Sequence, residues 1–157
     1  MIRGVWIALA VLTASTPAIA QTEVVRPRIE TGSSIKLPSP IQTRVEAFFA
    51  SLQAGQTTTA FQDLTRGSGI QERPGALETM TSRADTMLKT AGPIVDWKPS
   101  ALIHGEYTIT VSYVARTEKV PLNFNFAFYE PPSGAWKLTA VYFQGAAGSQ
   151  ASWTIYP

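Results

Sequence analysis

At Gly92-Pro93 the apolar residues of this chain change their spacing from about 3.6 residues, the helical period, to about 2, the strand period. Upstream, Ile41, Val45, Phe48, Phe49 and Leu52 form one apolar stripe, and Leu77, Met80, Ala84, Met87 and Leu88 form another. Downstream, Tyr107, Ile109, Val111, Tyr113 and Ala115 alternate with Thr108, Thr110, Ser112 and Arg116. Val120, Leu122, Phe124, Phe126 and Phe128 then alternate with Pro121, Asn123, Asn125 and Tyr129. Helices followed by strands, each with one apolar face, bury those faces by stacking in two layers. The expected fold is therefore α+β, with three N-terminal helices packed on a four-stranded antiparallel sheet.

Ser39-Pro40 opens the first helix, with a hydroxyl to cap it and proline at the first helical position, and Gly55 stops it. A shorter helix is predicted over 57–64 with Ala60, Phe61 and Leu64 inward, ended by Gly67 and Gly69, and a third begins near Pro74. The first strand covers 94–104, where Pro99 indicates an edge position or a bulge. Turns at Gly105, Thr117-Glu118-Lys119 and Pro131-Pro132-Ser133-Gly134 separate it from the next strands, the last spanning 136–143. Connections this short require antiparallel neighbours, so the sheet is a meander.

The chain lacks cysteine and has one histidine, which excludes disulfides, thiolate nucleophiles, zinc ribbons, iron–sulfur clusters and His-rich metal sites. Thirteen basic residues against 11 acidic ones, scattered along the chain, leave no electrostatic footprint for nucleic acid. No cofactor is expected.

Residues 1–20 read as a secretory signal peptide, with Arg3, an apolar run over 5–12 and a small-residue cleavage site at Ala18-Ile19-Ala20. That run is far shorter than the roughly 20 residues of a spanning helix, and no second long apolar segment follows. The expected location is the periplasm, with no membrane span after cleavage. Residues 21–39, with Pro27, Gly32, Ser33, Ser34 and Pro38, form an extended N-terminal arm, a linker or a strap that orders on a partner. The domain proper is 40–144. Residues 145–157 form a flexible C-terminal tail that starts at Gly145-Ala146-Ala147-Gly148 and ends in Trp153-Thr154-Ile155-Tyr156; it either docks on a partner or folds back over the domain.

This order of elements resembles the nuclear transport factor 2-like superfamily. The residues that carry the resemblance are the run from Val45-Glu46-Ala47-Phe48-Phe49 to Leu52-Gln53-Ala54-Gly55, then Ala60-Phe61, Ala91-Gly92-Pro93-Ile94, Phe128-Tyr129 and Gly134-Ala135-Trp136-Lys137-Leu138. It covers about 41–143 and implies a strongly curved sheet closing a cone under the helices. Each of these motifs is explained by packing, helix ending or turn formation, so the resemblance bears on fold more than on function. Isomerases and cyclases of that superfamily (the SnoaL-like enzymes) use a carboxylate or histidine projecting into the cone.

A general base must face a pocket beside the proton it takes. The three later strands carry no interior Asp or Glu; Asp96 lies in the first strand on the face of Lys98 and reads as a surface carboxylate. His104 precedes the Gly105 turn and reads as a solvated turn residue, so no catalytic residue is assigned. Tyr107, Tyr113, Phe124, Phe126 and Trp136 are the candidate walls of a small-molecule pocket in the cone, with ordinary core packing as the competing role. Trp153, Ile155, Tyr156 and Phe143 are the candidate partner-binding residues, with Val141 and Phe143 placed on the outward sheet face beside Asn123, Asn125 and Thr139. The expected function is a noncatalytic periplasmic accessory subunit that stabilises or tethers a larger exported or membrane-bound complex. A quinohaemoprotein alcohol dehydrogenase fits such a partner by size and export; the alternatives are a small-molecule binder and, less favoured, a SnoaL-like isomerase or cyclase.

Overall fold

A computed structural model describes residues 28–32, 35–145 and 150–154, the last group by its backbone. The signal peptide assigned to 1–20, and Ile155 and Tyr156, lie outside the described residues. The elements run β1 (Arg28–Thr31), α1 (Ser39–Gln53), α2 (Thr57–Thr65), α3 (Ala76–Ala91), β2 (Ile94–His104), β3 (Thr108–Thr117), β4 (Leu122–Tyr129), β5 (Lys137–Gly145) and β6 (Gln150–Thr154).

The fold is α+β, and its antiparallel sheet has six strands in chain order rather than four. The additional strands come from the segments read as arm and tail. β1 pairs its four residues with the end of β2, Arg28 opposite His104 and Thr31 opposite Ala101. β6 pairs with β5, Trp153 opposite Val141 and Gln150 opposite Gln144. The helices are thus preceded by one strand, and residues 150–154 of the supposed tail belong to the sheet. Backbone pairing along an open edge needs no apolar alternation in the added segment, which is why these strands left no pattern in the sequence.

The three helices form where the periodicity placed them. Ile41, Val45, Phe48, Phe49 and Leu52 are the buried positions of α1, and Ala60, Phe61 and Leu64 are buried in α2. Ser39 does not cap α1 through its side chain. It is the first helical residue, and the Pro38 carbonyl accepts from the Ile41 and Gln42 N–H groups. Gly92 links α3 to β2 at φ 88°, a left-handed conformation that a side chain would strain, and an added Cβ would meet Glu118 Cβ at 3.1 Å.

In β3 and β4 every second residue is buried, from Ile109 to Ala115 and from Leu122 to Phe128. Ser100 is the extra residue where the β2–β3 register shifts between Pro99 and Ala101, so the proline marks a bulge. A second shift lies between β4 and β5: Ala127 faces Ala140 and Phe128 faces Leu138, leaving Thr139 unmatched. This bulge reverses the facing of the rest of β5. Leu138 points inward before it, and Val141 and Phe143 point inward after it.

Candidate functional site

The space between helices and sheet, where a ligand-binding cone would lie, is occupied by aromatic rings. Phe48, Phe49, Phe61, Phe124, Phe126, Phe128 and Phe143 are all essentially inaccessible. Phe48 meets Phe61, Phe124 and Phe126 edge-on at centroid distances of 5.1, 5.9 and 5.5 Å. Phe124 and Phe126 are therefore core residues rather than pocket walls. Tyr113 packs against Phe49 and Phe126 in the same core. Burial, with the Glu46 charge adding to it, pushes its phenol up to about 12, so the hydroxyl stays neutral in ordinary buffers.

Two of the five proposed walls lie elsewhere. Tyr107 falls in the β2–β3 turn and is 58% exposed; a hydrogen bond with Glu106, followed by that carboxylate's charge, raises its pKa. Trp136, half-buried before β5, forms a wall of an open surface groove of about 540 Å³ together with Pro40, Ile41, Arg44, Ala47 and Phe128.

The partner-binding set is also divided. Phe143 is 1% exposed and packs on Phe61 and Phe124 at 5.7 and 5.9 Å, so it serves the core and is removed from the docking residues, as is buried Val141. The bulge at Thr139 is the physical cause. Trp153 has its backbone in β6.

Asn123, Asn125 and Thr139 do stand on the face away from the helices, half-buried between the core positions. Across the strands this face reads Ser112, Asn125, Tyr142 in one row and Val114, Asn123, Gln144 in the next, with Thr110 and Ala127 alongside. The Ser112 hydroxyl donates to Asn125 Oδ1 at 2.5 Å, and Thr139 donates to the Ala127 carbonyl at 3.1 Å. Charges on this face stand at its margin. Lys98 lies opposite Val114, and Arg116 grips Asp96 through two hydrogen bonds of 3.1 and 2.6 Å. The partner of Asp96 is thus Arg116 across the strands.

His104 is the last residue of β2, paired on both sides, rather than a solvated turn residue. β1 brings Glu30 beside it, with His104 Nε2 3.7 Å from Glu30 Oε1, while Arg28 lies 3.2 Å from the same carboxylate oxygen. These three residues, with Thr31 and Lys36, line an open cleft. The histidine side chain is 34% exposed and the glutamate 20%, so both can meet a solute. Nothing in the sequence joined them, because Glu30 reaches His104 only through the pairing of β1 with β2. No cluster of three or more metal-ligating side chains occurs among the described residues, and no described helix is long and apolar enough to cross a membrane.

Comparison with family models, with curated proteins and with solved structures gives no match.

Proposed function

We propose that the protein is a noncatalytic accessory subunit of an exported complex and that it docks on a larger protein through the outer face of its sheet. The observation that carries this reading is the uncharged centre of that face, where Ser112, Asn125, Tyr142, Asn123 and Gln144 lie side by side across three strands. A sheet face kept in water is polar, and the centres of protein interfaces are polar or apolar but depleted of charge. The aromatic filling of the interior supports the same reading, since it takes up the volume that a ligand in the cone would need. Membership of the nuclear transport factor 2-like superfamily is part of the proposal, supported by the order of helices and strands. A membrane-bound periplasmic dehydrogenase of the quinohaemoprotein type is the first partner to seek.

The test is purification of the tagged chain from gently solubilised cell envelopes, beside Ser112→Arg and Asn125→Arg. A co-purifying protein lost in both variants, with their melting curves unchanged, supports docking through this face. Recovery of the unsubstituted chain as a lone monomer overturns the reading, and so does a self-association that the same substitutions abolish.

A second reading rests on one observation, the approach of His104 to Glu30 in a cleft open to solutes. A carboxylate that orients an imidazole is half of an acid–base apparatus. An unchanged cellular phenotype in His104→Ala would remove it.

A further inference from the structure

The groove beside Trp136 combines an apolar floor with one cation that no carboxylate of the described residues balances. Ile41 and Phe128 are fully buried beneath it, and Pro40, Ala47 and Trp136 form its sides. Arg44 projects from α1 into the same groove, half-buried. Its guanidinium donates to the backbone carbonyl of Arg66, a neutral acceptor. Asp63, the carboxylate that lines the groove, is engaged by Arg66 in an ion pair. Among the described residues, Arg44 therefore has no acidic partner, and it lies near a second guanidinium. Burial, and then the charge of Arg66, lower the pKa of Arg44, the sign of a cation held where an anion would be welcome.

We infer that this groove binds a small amphiphilic monocarboxylate, its carboxylate on Arg44 and its apolar body against Trp136, Pro40 and Ala47. A guanidinium presents paired N–H donors that match a carboxylate's two oxygens, and an ion pair partly shielded by the Trp136 ring is screened less than one in open water. A volume of about 540 Å³ falls within the usual range of small-molecule sites. A free acid fits better than a peptide terminus. A peptide backbone needs donors and acceptors along its length, and besides Arg44 and the engaged Asp63 the lining side chains offer only the hydroxyls of Ser39 and Thr43 and the indole N–H of Trp136. This site is on the helix side of the sheet, so it does not depend on docking through the outer face.

The experiment is titration calorimetry of the full chain with decanoate and phenylacetate, with decanol as the uncharged control and a short peptide ending in a free phenylalanine carboxylate as the competing source. Decanoate or phenylacetate is expected to bind at least about tenfold more tightly than decanol. Arg44→Met is expected to remove that preference and Arg44→Lys to restore part of it. Trp136→Ala, which leaves Arg44 in place, is expected to weaken both acids by a similar factor, so a folding failure in one variant does not decide the outcome. Binding of neither acid at about 1 mM, equal binding of acid and alcohol, or tighter binding of the peptide would each overturn the assignment.

Discussion

The Phe49 ring stacks on Trp97 with centroids 5.3 Å apart and planes 16° apart, joining the middle of α1 to the first half of β2. Phe49 also meets Tyr113, Phe124 and Phe126, so a single helical residue spans three strands. Truncating it to alanine is expected to cost about 3–5 kcal/mol, the usual range for a fully buried phenylalanine. Chemical denaturation measures the loss. A cost below about 1 kcal/mol would mean that the helix layer is not seated as described.

Phe143 offers a test of which way β5 faces. As a core residue it is expected to lose about 3–5 kcal/mol on replacement by alanine, in the isolated protein and with no partner present. A docking residue would leave the melting curve of the isolated chain unchanged. Deleting Thr139, the extra residue of the bulge, restores plain alternation from Leu138 onward and is expected to leave Val141 and Phe143 inward and unfolding cooperative.

The Tyr113 phenol ties stability to alkaline pH. In the unfolded chain it loses its proton near 10.0, and in the folded protein at about 12. Between those values the unfolded state binds fewer protons, so stability present in full below pH 10 declines as pH rises toward 12. The slope contributed by one such group is at most about 1.4 kcal/mol per pH unit. Urea denaturation at a series of alkaline pH values should show this decline, and Tyr113→Phe should flatten it. Equal slopes in the two proteins would count against the burial of this hydroxyl.

Thr117 fastens the helix layer to the β3–β4 turn. Its buried hydroxyl lies 2.8 Å from the Ala91 carbonyl and accepts from the Val120 N–H at 3.3 Å. Thr117→Val keeps the shape and removes both interactions, an expected cost of about 1–3 kcal/mol because the Val120 donor loses its acceptor. Thr117→Ser should recover most of it. The Ala91 carbonyl retains a hydrogen bond from the Lys119 N–H at 3.0 Å, which holds the cost of Thr117→Val within that range.

The helices, the four central strands and most of the core were legible from residue spacing, because a helix or strand with one buried face must repeat its apolar residues at the period of its backbone. Ile41 to Leu52 and Leu122 to Phe128 show this directly, and their buried positions are the ones the periodicity selects. Periodicity carries no information about pairing along an edge. β1, with Arg28, Ile29, Glu30 and Thr31, has no apolar face of its own and becomes a strand because β2 offers it backbone partners.

The same limit governed the surface sites. Perfect alternation extended along β5 puts Phe143 outside, whereas one unmatched residue, Thr139, puts it inside, and a bulge changes the count only relative to a neighbouring strand. His104 and Glu30 meet through the β1–β2 register, and Arg44 meets the Trp136 groove through the packing of α1 over the sheet's end. Local sequence therefore determined the elements and their buried faces, since backbone geometry and burial act within a few residues. Only the tertiary structure decided the edges, the facing beyond a bulge and the clusters of charge, because each depends on distances between segments far apart in the chain.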